Sequence, residues 1–332
     1  KLFGPFFHGA SSMSASLPVV SIIMPVRNAE STLGRAIDSI LEQTYQNIDQ
    51  IILAIGPSAD STMSIAHKYK MLDTRIEIIN NESGLTASGL NKAASLATSD
   101  FLVRVDSHCA IPKDYVAKAV EIIIRTKAGN VGGIQNAIGE TTFQIAVATA
   151  MSSRFGVGNS KFHYGGKEGP TDTVYLGIYD SELFKMLGGF NESLVRNQDY
   201  ELNNRIRRAG RKVWFDPQLI VDYFPRSDLS SLSAQYFQYG KWKRKVIFKD
   251  PSSLKVRQTI PPLTVLILIA SLALSFIASF WFLTVLLFYL AVTIGVSVFK
   301  QNITFRQRLA LFLVFPTMHI SWGVGFLIGL TK

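Results

Sequence analysis

Asp106, Ser107 and His108 follow the apolar run "FLVRV" without a break. The run reads as a buried strand, and a carboxylate and an imidazole two residues apart at its end allow two roles. Either the pair faces solvent in an ordinary turn, or the strand is a rigid stalk presenting two ligands to something charged. A second acidic segment, "QDYELNNRIRRAG", has the spacing of an amphipathic helix stopped by Gly210. Asp199 at its head can cap that helix. Glu201 is either a first-turn acid favoured by the helix dipole or a partner for Arg205.

The strand that ends at Asp106 belongs to a regular alternation running to about Gly139. "VVSIIMPV" is a β-branched strand, and "STLGRAIDSILEQ" puts Leu33, Ile37, Ile40 and Leu41 at helical spacing. "QIILAI" and "RIEIIN" are further strands; "TASGLNKAASLA" and residues 115–127 are further helices. Alternation with short connections predicts an α/β fold with a mostly parallel sheet covered on both faces. Ligands of such sheets gather at the carboxyl ends of the strands, where Asp106 and His108 lie. The glycine-rich stretch 143–170 has no period and reads as a mobile loop over a site or as an ordinary insertion. Asp228 or Ser230 can cap a helix through "LSAQYFQYGKWKRKV", with aromatics on one side and cations on the other, an interfacial pattern.

Hydrophobic residues make up 48% of the 332, and their excess is concentrated near the C-terminal end. No charge occurs over 263–299 or over 309–330. A span needs about 20 apolar residues. The second run fits one helix; the first is long for one helix and short for two, and reads as a tight hairpin turning near 275–279 or, in competition, as one long tilted helix. Lys255 and Arg257 precede the first run, and Lys300, Arg306 and Arg308 follow it. Basic flanks stay cytoplasmic, so an even number of crossings separates them. The expected division is a leader or cloning remnant over 1–17, an α/β domain over 18–227 and an interfacial basic segment over 228–260. A transmembrane region over 261–332 follows, with helices at 263–278, 280–299 and 309–330. The net charge of +10 peaks in "KWKRKVIFK", just before the first span, where anionic headgroups attract it. No zinc-ligand spacing or nucleic-acid fingerprint accompanies it, which points to membrane lipids and away from nucleic acid. The single cysteine, Cys109, excludes an internal disulfide framework.

Taken together, "VSIIMPVRNAESTLGRAIDSILEQTY", "GLNKAASLATSDFLVRVDSH", "GGFNESLVRNQDYELNNRIRRAG" and "QYGKWKRKV" resemble the inverting glycosyltransferases of family 2. The resemblance is nearest to bacterial membrane-attached members of the succinoglycan ExoA type. It implies a GT-A nucleotide-sugar-binding fold, a nucleotide-sugar donor and a divalent cation. In that family an aspartate-x-aspartate motif follows a central strand, and "DSH" takes its place, implying Asp106 and His108 as metal ligands. A divalent cation between phosphates stabilises the charge that develops on a nucleoside diphosphate leaving group. His108 departs from the family's second aspartate and suits manganese better than magnesium. It is either a direct ligand or a partner for a phosphate or a metal-bound water.

By the same resemblance, Pro25, Val26 and Arg27 match the donor-binding edge, and Arg104 and Asn91 face the donor. Ala54 and Ile55 stand where the family usually carries an aspartate that reads the base. Asp60 remains as either a nucleotide contact or a helix cap. Asp199 becomes the general base, with Gln198 for the usual glutamate and Glu201 beside it on the acceptor side. Gln238, Lys241 and Trp242 resemble a Gln-x-x-Arg-Trp segment in which the cation meets the diphosphate and the ring carries a sugar; as interface anchors they need no ligand. The expectation is a multi-pass enzyme of the cell membrane, its catalytic domain cytoplasmic, moving a sugar to a polyprenyl-linked acceptor. A non-catalytic nucleotide-sugar-binding or scaffold protein is the competing reading, and it predicts binding without turnover.

Overall fold

The computed structural model describes residues 17–158 and 161–329. Its first half alternates as expected: β1 (Val20–Val26), α1 (Leu33–Leu41), β2 (Ile48–Ile55), α2 (Thr62–Leu72), β3 (Ile76–Asn80), α3 (Thr86–Leu96) and β4 (Phe101–Arg104). The strands β3-β2-β1-β4 are parallel neighbours in that order. Ile22, Ile23, Met24, Ile51, Ile52 and Leu53 are fully buried, as both-faced coverage of a parallel sheet requires. Leu33, Ala36, Ile37 and Ile40, three and four residues apart, form the buried stripe of α1.

Beyond β4 come β5 (Cys109–Ala110), α4 (Tyr115–Thr126) and β6 (Asn130–Ala137). The sheet continues from β4 through β8 (Tyr175–Asp180) to β6, β9 (Val213–Tyr223) and β5. Strand β8 is antiparallel to both β4 and β6, so this half is mixed. The stretch expected to be a loop or an insertion is instead largely helical. It forms α5 (Thr142–Met151), α6 (Arg154–Val157) and α7 (Lys161–Tyr164), followed by β7 (Gly169–Pro170), which pairs with β9. A capping box, Thr141 with Gln144, starts α5.

Helices α8 (Ser181–Met186) and α9 (Gln198–Arg208) bring the second acidic segment to the carboxyl edge of the parallel strands. After β9, the Asp228 carboxylate accepts from the Ser231 N–H at 2.8 Å and caps α10 (Leu229–Lys249). The C-terminal part is α11 (Ile260–Ile277), α12 (Leu283–Val298) and α13 (Phe305–Ile328). With the short turns that precede them, α11 and α12 give apolar stretches Val256–Ile277 and Phe280–Val298; α13 gives a third, Phe305–Ile328. The expected turn between the first two falls at Ala278 and Ser279. Along one face of α13, Leu311, Val314, Phe315 and Met318 are buried in the same core cluster as Ala146, Val147 and Ala150 of α5.

Candidate active site

The chain positions the site by ending β4 on a charge. Arg104 is its last residue and only 3% exposed. Its register partner is Gly177 of β8, where φ is +124° and a Cβ would collide with the Asn130 carboxamide. Two residues on, Asp106 turns its carboxylate back to the guanidinium: Nε donates to Oδ1 at 2.8 Å and an Nη to Oδ2 at 3.1 Å. The remaining Nη donates to Asp199 Oδ1, from the first turn of α9. One buried arginine thus joins the two carboxylates that the sequence separates by 93 positions (199 − 106).

The two acids are driven apart. Burial opposes ionisation of Asp106, but Arg104, His108 and Arg196 outweigh it and hold this carboxyl below its ordinary value. Burial dominates at Asp199, and with the nearby Asp106 charge it overcomes Arg104 and holds that carboxyl above its ordinary value. His108 sits edge-on to the Tyr223 ring, centroids 5.4 Å apart. Burial, aided by Arg226, Arg104 and Arg196, overrides the pull of Asp106 and keeps the imidazole below its ordinary value. A neutral imidazole and an ionised carboxylate are the forms that bind a metal. Among the described residues no group of three or more His, Cys, Asp or Glu gathers to cage an ion. A cation held by Asp106 and His108 alone would take its other ligands from phosphate oxygens and water, and both Asp106 oxygens also accept from Arg104.

Asp199 does not cap α9. The N-cap is Asn197, at φ +64°, and the Asp199 side chain points to Arg104 instead. Gln198 is 4% exposed and its side-chain carbonyl oxygen is buried with no hydrogen-bond partner among the described residues. Glu201 forms a bidentate pair with Arg205, whose guanidinium also donates to the carbonyls of Leu187 and Gly189. This lashes α9 to the 187–190 turn, and of its two readings Glu201 takes that of partner for Arg205.

Among the residues expected to face a donor, Pro25 and Val26 end β1 at the carboxyl edge, and the Val26 carbonyl accepts from Gly56 N–H at 2.8 Å. Arg27 is exposed at the rim and packs over Gly84. Asp60 is committed to the backbone: it accepts from Glu30 N–H, Thr62 N–H and the Thr62 hydroxyl. Asn91 is committed likewise, clasping Phe190 through both its N–H and its carbonyl and donating also to Glu192.

The "QYGKW" residues divide between faces of α10. Trp242 Nε1 donates to Gln238 at 3.1 Å, and Lys245 lies 4.2 Å over the Trp242 ring. Lys241 lies against Gly329 of the C-terminal segment. The α10 side chains that reach the acidic segment are others, and they were not singled out from the sequence. The Tyr239 carbonyl accepts from Asn197, and Arg196 lies over the Tyr239 ring. Lys243 is 2% exposed, 3.5 Å over the Tyr200 ring, and donates to the Ser253 carbonyl. A helical repeat counted from Tyr239 would have pointed to Lys243, one turn on. Beside this edge, a cavity of about 780 Å³ is walled by residues 137–139, α5 and the 299–303 turn. Ala137 pairs with Tyr223, so the cavity begins one strand from the His108 ring.

Residues 21–187 match the family model described as glycosyl transferase family 2. The chain is 31% identical to the succinoglycan biosynthesis protein ExoA of Rhizobium meliloti over 242 residues, 72% of this chain and 73% of that protein. It is 26% identical over 241 residues, 69% of this chain and 74% of the other, to the dolichyl N-acetyl-alpha-D-glucosaminyl phosphate 3-beta-D-2,3-diacetamido-2,3-dideoxy-beta-D-glucuronosyltransferase of Methanococcus voltae. The fold is similar to that of the mannosyltransferase PcManGT from Pyrobaculum calidifontis, with a TM-score of 0.67 at 17% identity over 96% of this chain and 89% of that one.

Proposed function

The chain belongs to glycosyl transferase family 2 and is a nucleotide-sugar-dependent glycosyltransferase, and from that premise we propose that it is a membrane-attached inverting enzyme transferring one sugar to a lipid-linked, polyprenyl acceptor in envelope glycan or exopolysaccharide synthesis. The convergence of Asp106 and Asp199 on Arg104, with their acidities pushed in opposite directions, carries the reading. Two carboxylates so separated take different roles. Asp106 stays ionised and, with His108, would hold a magnesium or manganese ion; such an ion supplies charge stabilisation to a departing diphosphate. PcManGT was solved with GDP-Man and Mn2+, which supports a divalent cation and a nucleotide sugar here.

Asp199, more basic than an ordinary carboxylate, takes the proton of the acceptor hydroxyl as it attacks the anomeric carbon from the face opposite the diphosphate. Arg104 keeps the two acids in fixed register throughout. Pro25, Val26 and Arg27 form the donor edge, and Gln198 stands beside Asp199 on the acceptor side. The apolar C-terminal helices, the basic flank of α10 and the cavity next to Tyr223 support an acceptor that reaches the site from the cytoplasmic leaflet.

The test is calorimetry with nucleoside diphosphates, with and without manganese. Asp106→Ala should lose metal-dependent binding while retaining the fold. Unchanged metal-dependent affinity in that variant would remove Asp106 from the donor site.

A further inference from the structure

Length and composition treat Val256–Ile277, Phe280–Val298 and Phe305–Ile328 alike, but their packing differs. Helices α11 and α12 present apolar side chains on most sides: Leu263, Ile269, Phe276, Leu287 and Phe288 are each more than half exposed. Helix α13 exposes one stripe, Leu309, Leu313, Ile320 and Ile328. Its opposite face, Leu311, Val314, Phe315 and Met318, is at most 1% exposed and lies in the catalytic domain's core.

The contact with α10 is close along its length. A Cβ at Gly240 would collide with the Trp322 carbonyl, and one at Gly325 with the Phe237 carbonyl. The Ser233 and Ser321 hydroxyls are 2.9 Å apart. The Arg244 guanidinium donates to the carbonyls of Phe326 and Leu327, at the C-terminal end of α13. Between α13 and α6, His319 Nε2 lies 2.8 Å from the Phe155 carbonyl oxygen. Both ends of α10 are tied to the catalytic domain. It follows β9 directly, and Asp250 at its other end accepts from Asn204 and Arg208 of α9.

We propose that only the α11–α12 hairpin crosses the bilayer, and that α13 lies along the membrane-facing side of the catalytic domain with its exposed stripe in the leaflet. The C-terminal end then returns to the side of the catalytic domain. This rests on the membrane-attached reading above and replaces the final crossing expected from hydropathy. A crossing α13 would carry α10 with it and bring Lys241, Arg244 and Lys245 to hydrocarbon depth, where charged side chains are expelled. An in-plane helix with one apolar face needs no such transfer. The basic flanks Lys255, Arg257, Lys300, Arg306 and Arg308 remain on one side, as a two-crossing hairpin requires. At its tip, exposed Phe280 and Trp281 sit where aromatic side chains favour the far interface.

The test is labelling of sealed, oriented membrane vesicles with a membrane-impermeant maleimide. Native Cys109 is buried and serves as the unlabelled background. Cysteines replace Met71 (catalytic domain, 88% exposed), Ala278 (hairpin tip), Gln301 and Lys332, one at a time. Met71→Cys, Gln301→Cys and Lys332→Cys should label from one side, and Ala278→Cys only from the other. Labelling of Lys332→Cys together with Ala278→Cys would overturn the in-plane helix while leaving membrane attachment intact. Recovery of the folded, donor-binding protein in the soluble fraction would overturn membrane attachment, and this topology with it.

Discussion

Arg104 donates to Asp106 and to Asp199, so one buried guanidinium holds both acids in place. Asp199→Asn tests the second acid with the least disturbance, because the amide keeps the size and an oxygen for Arg104. General-base assistance is typically worth about 10²–10⁴-fold, and transfer should fall by that factor while donor affinity stays near wild type. Rate and donor affinity measured on one preparation check this; near-normal transfer would take Asp199 out of the chemistry. Asp106, His108 and Asp199 could be named as candidates from the sequence because each stands at the end of a well-patterned element. Arg104's double role could not be, since it depends on two segments meeting in space. Asp60 and Asn91 show the converse difficulty: polar residues beside a site look like ligand contacts until their own turns are seen to occupy them.

At the scale of elements, Lys243 of α10 meets Tyr200 of α9, and the backbone of α10 at Lys241 packs against Gly329. Burial pushes the Lys243 ammonium down to about 7. The unfolded chain holds that proton up to the ordinary lysine range near 10.4, so stability rises with pH between about 7 and 10. Lys243→Met removes the ionisable group. Its stability relative to wild type should be greatest at pH 7 and below, and should decline by up to about 1.4 kcal/mol per pH unit above that. Thermal unfolding of both proteins in detergent from pH 6.5 to 10 checks it; parallel profiles would mean Lys243 does not titrate in this window. The alternation of β1 to α4 was readable because each strand and helix is set by local periodicity. Helix α5 was missed because "TFQIAVATAM" is apolar without a repeat, and the helix that covers it, α13, arrives about 160 residues later.

For the molecule as a whole, hydropathy finds the apolar helices but not what surrounds them. At the centre of a bilayer a lysine or arginine costs about 2.5–3.5 kcal/mol on insertion scales, and α10 would bring several. That asymmetry favours a catalytic domain resting on the membrane with a hairpin through it, its site edge and the cavity beside Tyr223 near the headgroups. In such a seat the proposed lipid-linked acceptor would reach Asp199 without leaving the leaflet. The decisive measurement is transfer of radiolabelled sugar from a panel of nucleotide sugars into the lipid fraction of proteoliposomes containing the purified protein. One donor should label the lipid in a manganese- or magnesium-dependent way, chelation should abolish the signal, and Asp199→Asn should reduce it by about 10²–10⁴-fold. Metal-dependent binding of a nucleotide sugar with neither transfer nor hydrolysis across the panel would contradict the enzyme and leave a binding protein in its place.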